Sequence, residues 1–144
     1  MSLIRYCDMR YRSSLFTVTC LVAILLFTAC SKDDPSNPPA GATFQGEFVS
    51  GAHGTSGTAS IDSAATTLTL TNFKTSSGPD VNIYLARSLN TITSDYIDLG
   101  DNKGLNGTYT YTVPGGTDFL SYKYVVVWCV DFNVNFGYAE LVKQ

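Results

Sequence analysis

From Thr43 onward the chain carries no apolar pattern of helical period. It carries instead short runs in which apolar and polar residues alternate, cut by Gly, Pro, Asn and Asp. In "TTLTLTNF" Leu68 and Leu70 alternate with Thr67, Thr69 and Thr71. In "DVNIYLA" Val81, Ile83 and Leu85 alternate with Asn82 and Tyr84, and in "GTYTYTV" Tyr109, Tyr111 and Val113 stand against Thr108, Thr110 and Thr112. A period of two, rich in β-branched and aromatic residues, places one face in a core and the other in water, which is the requirement of a half-buried strand. "TFQGEFV", "TSGTASI", "DYIDLG", "YKYVVVWCV" and "FGYAELV" have the same character, and "SSGPD", "DNKGLNG" and "VPGGTD" supply the turns. About eight strands at intervals of about 8 to 12 residues predict an all-β fold, a single antiparallel β-sandwich or barrel-like domain.

One strand differs from the others. In "YKYVVVWCV" a regular extended backbone puts Tyr122, Tyr124, Val126, Trp128 and Val130 on one face and Lys123, Val125, Val127 and Cys129 on the other. Both faces are apolar at the centre, which predicts a central strand covered on two sides, with Cys129 buried near its C-terminal end. Asp131 and Asn133 then form a turn or bulge, and Phe136 opens the last strand.

The N-terminal third does not read as part of this domain. Arg5, Arg10 and Arg12 precede the apolar stretch "SSLFTVTCLVAILLFTA", which ends in small residues before Cys30. That is the anatomy of a secretory signal. A membrane-spanning helix is the competing reading, but it asks for roughly 20 apolar residues, slightly more than this stretch supplies, and no stop-transfer pattern follows. "LLFTAC" resembles a bacterial lipoprotein box, with Phe27 where leucine is commoner. The resemblance implies that Cys30 receives a diacylglycerol thioether and becomes the mature N-terminus, where each buried methylene contributes about 0.8 kcal/mol to membrane attachment. An ordinary secretory signal with a chance cysteine is the alternative. Ser31 and the run Lys32, Asp33, Asp34 resemble sorting and surface-export signals of Gram-negative lipoproteins, and Pro35, Pro38 and Pro39 make a stiff spacer. The expected organisation is a signal peptide over 1–29, a lipidated cysteine and tether over 30–41, and one all-β domain over 42–144. The expected address is the outer membrane with display at the cell surface, held there through the lipid on Cys30.

Without residues 1–29 the chain has six basic and eleven acidic residues, a formal balance of −5. An acidic domain with no basic patch does not bind nucleic acid. His53 is the only histidine, and a zinc site wants three or four protein ligands. No metal site is therefore expected. No nucleophile elbow, phosphate-binding loop or dinucleotide fingerprint occurs, so nothing marks a hydrolase. Asp95, Asp98, Asp101 and Asn102 could hold a hard cation, but they lack the spacing of a calcium loop, and a solvated loop is the plainer reading.

Cysteine usage isolates one thiol. Cys7 and Cys20 leave with the signal and Cys30 is acylated, so Cys129 has no partner within the mature chain. It is either a redox group, passing through sulfenic acid or a mixed disulfide, or a small buried hydrophobe. Thiolate and imidazole can both ligate haem, which makes Cys129 and His53 candidate cofactor-binding residues. His53 in its Gly/Ser/Thr loop can equally be a hydrogen-bonded turn residue.

Taken in order, "FQGEFVSGAHGTSGTASI", "LTLTNFKTSSGPDVNIYLA", "YIDLGDNKGLNGTYTYTVP" and "YVVVWCVDFNVNFGYAEL" resemble the DM-thirteen domain family, named for electron transfer, over roughly residues 43–142. The resemblance implies an all-β domain whose cysteine, here Cys129 in "WC", works in redox as a bare thiol or by holding a prosthetic group such as haem. It places the loop histidine on His53 and a Gly-Pro-Asp turn on Gly78, Pro79 and Asp80, which also have a sufficient role as turn formers. The expected function is that of a membrane-anchored lipoprotein exchanging electrons with an unidentified redox partner through Cys129. The alternative is a non-catalytic binding or adhesion module for a surface ligand, with Cys129 in its core. Burial argues against an open thiol, because reactive cysteines need partial exposure and a positive neighbour.

Overall fold

The structure is a computed structural model that describes residues 41–144; the expected signal peptide, Cys30 and most of the expected tether lie outside the described residues. The alternating segments form strands β1 (Phe44–Ser50), β2 (Ser56–Ile61), β3 (Thr67–Lys74), β4 (Val81–Ala86), β5 (Tyr96–Asp101), β6 (Asn106–Thr112), β7 (Tyr124–Cys129), β8 (Val134–Glu140) and β9 (Val142–Lys143). All pairings are antiparallel and the order is β5-β4-β7-β8-β1-β2-β3-β6, with β9 added beside β1. β1 turns the corner. Phe44 to Glu47 pair with β2, whereas Phe48 to Ser50 pair with β8, so a single sheet curls into a nearly closed barrel. The all-β, barrel-like expectation holds, with two differences at the C-terminus. The last long strand opens at Val134 rather than Phe136. It also stops at Glu140, because the Leu141 amide donates to the Lys123 carbonyl before Val142 pairs with Gln45.

The faces of β7 divide as the alternation requires. Val125, Val127 and Cys129 point into the main core with Ile83, Leu85 and Phe136, while Val126 and Trp128 join a second cluster with Tyr84, Ala86 and Ile92. β4 departs from expectation. Its sequence reads as half-buried with Asn82 and Tyr84 outward, yet all six residues are buried, because Leu89 and Ile92 from the β4–β5 connection pack over its outer face. Each fully buried aliphatic or aromatic side chain contributes roughly 1.5–3 kcal/mol, so two-sided burial makes β4 and β7 the stiffest part of the sheet. In β3 the alternation slips: Leu68 and Leu70 face inward, then Phe73, three residues on, does so too. An extra residue here, with Asn72 at φ 50°, breaks the register against β6. A bulge of this kind bends the strand and lets the barrel close.

The registers define two ends. Phe44, Ile61, Leu68, Ala86 and Tyr124 lie toward the end at which the chain enters the domain. Ser50, Lys74, Val81, Asp101, Cys129 and Val134 lie toward the other, called the far end below. Between them, Tyr84 stacks on Tyr96 with centroids 4.3 Å apart. Burial, reinforced by the Asp98 carboxylate, pushes the Tyr84 phenol up to about 12. A tyrosine in the unfolded chain ionises near 10, so this phenol's contribution to stability is complete below pH of about 10 and is lost as pH rises toward its folded value. Tyr84→Phe should therefore flatten the fall in stability between pH of about 10 and 12, measured by urea unfolding at each pH. An unchanged alkaline slope would place the ionisation elsewhere.

Candidate functional site at the far end of the barrel

The far end is organised by a bulge in β8. Val127 pairs with Gly137 but Trp128 pairs with Asn135, which leaves Phe136 as the extra residue and turns its ring into the core. Its carbonyl, free of the β7 ladder, accepts hydrogen bonds from the amides of Gly51 (2.8 Å) and His53 (3.4 Å) and from Thr55 Oγ1 (3.1 Å). The loop between β1 and β2 is thus sewn onto the bulge. Thr55 is buried, its amide donates to Ser50 Oγ at 3.1 Å, and the space it occupies exists because residue 137 is glycine: a Cβ there would overlap the Thr55 side chain.

The Phe136 ring holds a second loop. The His53 ring lies against one part of it, with centroids 4.1 Å apart. On another part the Gly78 backbone comes so close that a Cβ would lie 3.1 Å from Phe136 Cζ and 2.7 Å from Val81 Cγ2. Gly78 is then a packing requirement, and Pro79 and Asp80 follow it into β4. The Asp80 carbonyl accepts from the Val130 amide at 2.8 Å, and the Val81 carbonyl accepts from the Asn102 amide at 2.7 Å. These bonds tie the Gly-Pro-Asp turn to the ends of β7 and β5. Tertiary structure has brought His53 and Gly78, far apart in sequence, onto one aromatic ring, Phe136, which shares its core cluster with Cys129.

Cys129 lies beneath this assembly. It pairs with Val81 on one side and Val134 on the other, packs in the same core cluster as Phe136, and has 0% exposure. Its sulfur is a free thiol. The thiol and His53 reach the same end of the barrel but do not form a dyad: the imidazole is exposed, the thiol is sealed, and no hydrogen bond joins them. Nor do they fit a shared haem. A macrocycle ligated by Cys129 would have to displace the side chains that close over the sulfur, and the pocket at this end is lined by neither residue.

That pocket, of about 350 Å³, is bounded by Ser77, Gly78, Pro79, Asp80, Val81, Asp101, Asn102, Gly104 and Leu105. Val81 forms part of its wall and pairs with Cys129, so one strand separates the pocket from the thiol. Asn102 Oδ1 is buried with no hydrogen-bond partner, an uncompensated acceptor of the kind folded proteins seldom leave. The acidic run of the sequence is dispersed. Asp95 pairs with Arg87 at 3.0 Å, Asp98 accepts from the Gly100 amide at 2.8 Å, and only Asp101 and Asn102 reach the pocket. Among the described residues no three His, Cys, Asp or Glu side chains converge as metal ligands.

Phe136 and Thr55 were not legible as site residues. The one available signal was Gly137, because glycine inside a strand pattern marks a bulge or a close backbone approach. Gly78→Ala should destabilise the domain by about 1–3 kcal/mol through overpacking, whereas Gly115→Ala, where a Cβ meets nothing within 4 Å, should be near neutral in the same denaturation series. Equal effects would mean that Gly78 does not clamp the ring.

A family model described as electron transfer DM13 matches residues 47–141. No curated protein and no solved structure matches the chain. The matched stretch runs from β1 to the residue that follows β8 and includes His53, Gly78, Pro79, Asp80 and Cys129; the chain belongs to the electron transfer DM13 family.

Proposed function

We propose that this domain exchanges electrons at its far end, with Cys129 as the redox group, while the lipid on Cys30 holds it to the outer membrane with the domain displayed at the cell surface. The gathering of the Gly78 to Asp80 turn and the His53 loop on Phe136, in whose core cluster Cys129 packs, carries the reading, since a core cysteine with no further role requires no such gathering. The first strand of the described chain begins toward the opposite end, at Phe44.

Burial dictates how the thiol would work. Thiol–disulfide exchange requires the Cys129 thiolate to attack one sulfur of a partner's disulfide, forming a mixed disulfide as the other partner sulfur leaves as thiolate. No second cysteine stands among the described residues to resolve that bond, so an external thiol must do so. The attack also requires opening. The Val130–Asn133 turn is the weakest part of the cover: its residues are exposed, and it is held by the Asn133 amide on the Val130 carbonyl at 3.1 Å and the Val130 amide on Asp80. Local openings of such turns cost less than global unfolding.

The alternative reading, a binding module with Cys129 as filler, is favoured by the complete burial of the sulfur. The two separate cleanly. If Cys129 is a redox group, its alkylation in the native protein should proceed through an opening less sensitive to urea than global unfolding. Cys129→Ser should then abolish the redox titration at a stability cost of about 1–3 kcal/mol for the buried hydroxyl. Alkylation that tracks global unfolding, together with an unchanged redox titration in Cys129→Ser, would establish the binding-module reading.

A further inference from the structure

We propose that the far end is a docking face for a protein that presents a lysine or arginine side chain surrounded by apolar surface, the cation entering the 350 Å³ pocket. The inference rests on the electron-transfer reading for the reason a partner comes to this end, and on the surface itself for what that partner looks like. Two carboxylates, Asp80 and Asp101, line the pocket, and neither is committed to a hydrogen bond or an ion pair among the described residues. Asn102 stands in the same wall. A cavity that offers oxygen acceptors and no cation of its own is complementary to a cationic donor group. The nearest lysine in sequence, Lys103, is already engaged: its ammonium donates to the Thr110 carbonyl at 2.5 Å and lies 4.6 Å from the centre of the Tyr111 ring.

The rim defines the rest of the partner. Leu105, on the pocket wall, is 47% exposed, and the turn bonded to Asp80 presents Val130 at 40% and Phe132 at 65%. Asp131 stands exposed between them. Three exposed apolar side chains around one pocket are a feature of interaction surfaces. An apolar patch with charges around a central pocket is the arrangement in which a buried cationic anchor contributes most of the binding energy. The carboxylates disfavour an anionic lipid surface. Among the described residues no three His, Cys, Asp or Glu side chains gather here to hold a metal ion. The small extent of the face suits a transient encounter, of the size seen where redox proteins meet.

The test uses the full chain in zwitterionic nanodiscs, followed by hydrogen–deuterium exchange with a lysine-rich c-type cytochrome as cationic probe and a flavodoxin as anionic probe. The cytochrome should protect residues 76–80, 101–105 and 130–133, with loss of protection at high salt. The Asp80→Asn/Asp101→Asn double variant should weaken binding by about tenfold or more, and Phe132→Ser should weaken it independently; both are exposed or uncommitted side chains whose loss leaves the core intact. Cys129→Ser should dock as the parent does even where its redox titration is lost, which separates failure of the electron-transfer reading from failure of this one. Absence of protection by the cytochrome, equal protection by the flavodoxin, or protection of the same segments by anionic vesicles in place of the cytochrome would overturn the proposal.

Discussion

The far end depends on the one residue that β8 fails to pair with β7. Because Phe136 is bulged, its carbonyl is free to accept three donors from the β1–β2 loop and its ring is free to point into the core. Two loops with little apolar content of their own, around His53 and around Gly78, thereby gain a fixed position. A regular strand could not do this, since its carbonyl at 136 would be consumed in the ladder and its side chains would alternate without interruption. Gly137 and Gly78 complete the arrangement by removing the two Cβ atoms that would keep Thr55 and the turn away from the bulge.

The same packing that builds the site closes it. Cys129 sits on the strand whose two buried faces contribute most to the cohesion of the barrel, between Val81 and Val134. A thiol so placed is shielded from oxidants and is correspondingly slow to react. Reactivity and stability are therefore linked through the short turn that follows β7. In the proposed reading, access to the sulfur would follow the free energy of opening that turn. This differs from redox proteins in which an exposed thiolate is stabilised by its surroundings.

Much of the architecture was legible in the sequence because strands whose one face meets water carry a period of two. The strand positions, the two faces of β7 and the burial of Cys129 follow from that period alone. The readings that needed correction came where local pattern and long-range packing conflict. β4 has a polar asparagine and a tyrosine on its outer face, which read as solvent-facing, and only the fold of the β4–β5 connection over them buries that face. β3 slips phase at a bulge, a feature whose alternation looks regular until the partner strand is known. Of the site, the sequence marked His53, Gly78 to Asp80 and Cys129 as residues of interest, but it could not say that one ring joins His53 to Gly78 or that His53 is exposed where Cys129 is sealed.

By itself, then, the chain's composition and periodicity determined an acidic all-β domain with one unpaired, buried thiol, since these depend on the hydropathy and spacing of neighbours in sequence. Only the tertiary structure decided that the thiol lies one strand from a pocket lined by Asp80 and Asp101, and that the pocket opens at the end away from the point of chain entry. The physical reason is that each of these is a relation between residues tens of positions apart. Such relations are fixed by strand register and by a single bulge, neither of which leaves a local trace strong enough to read.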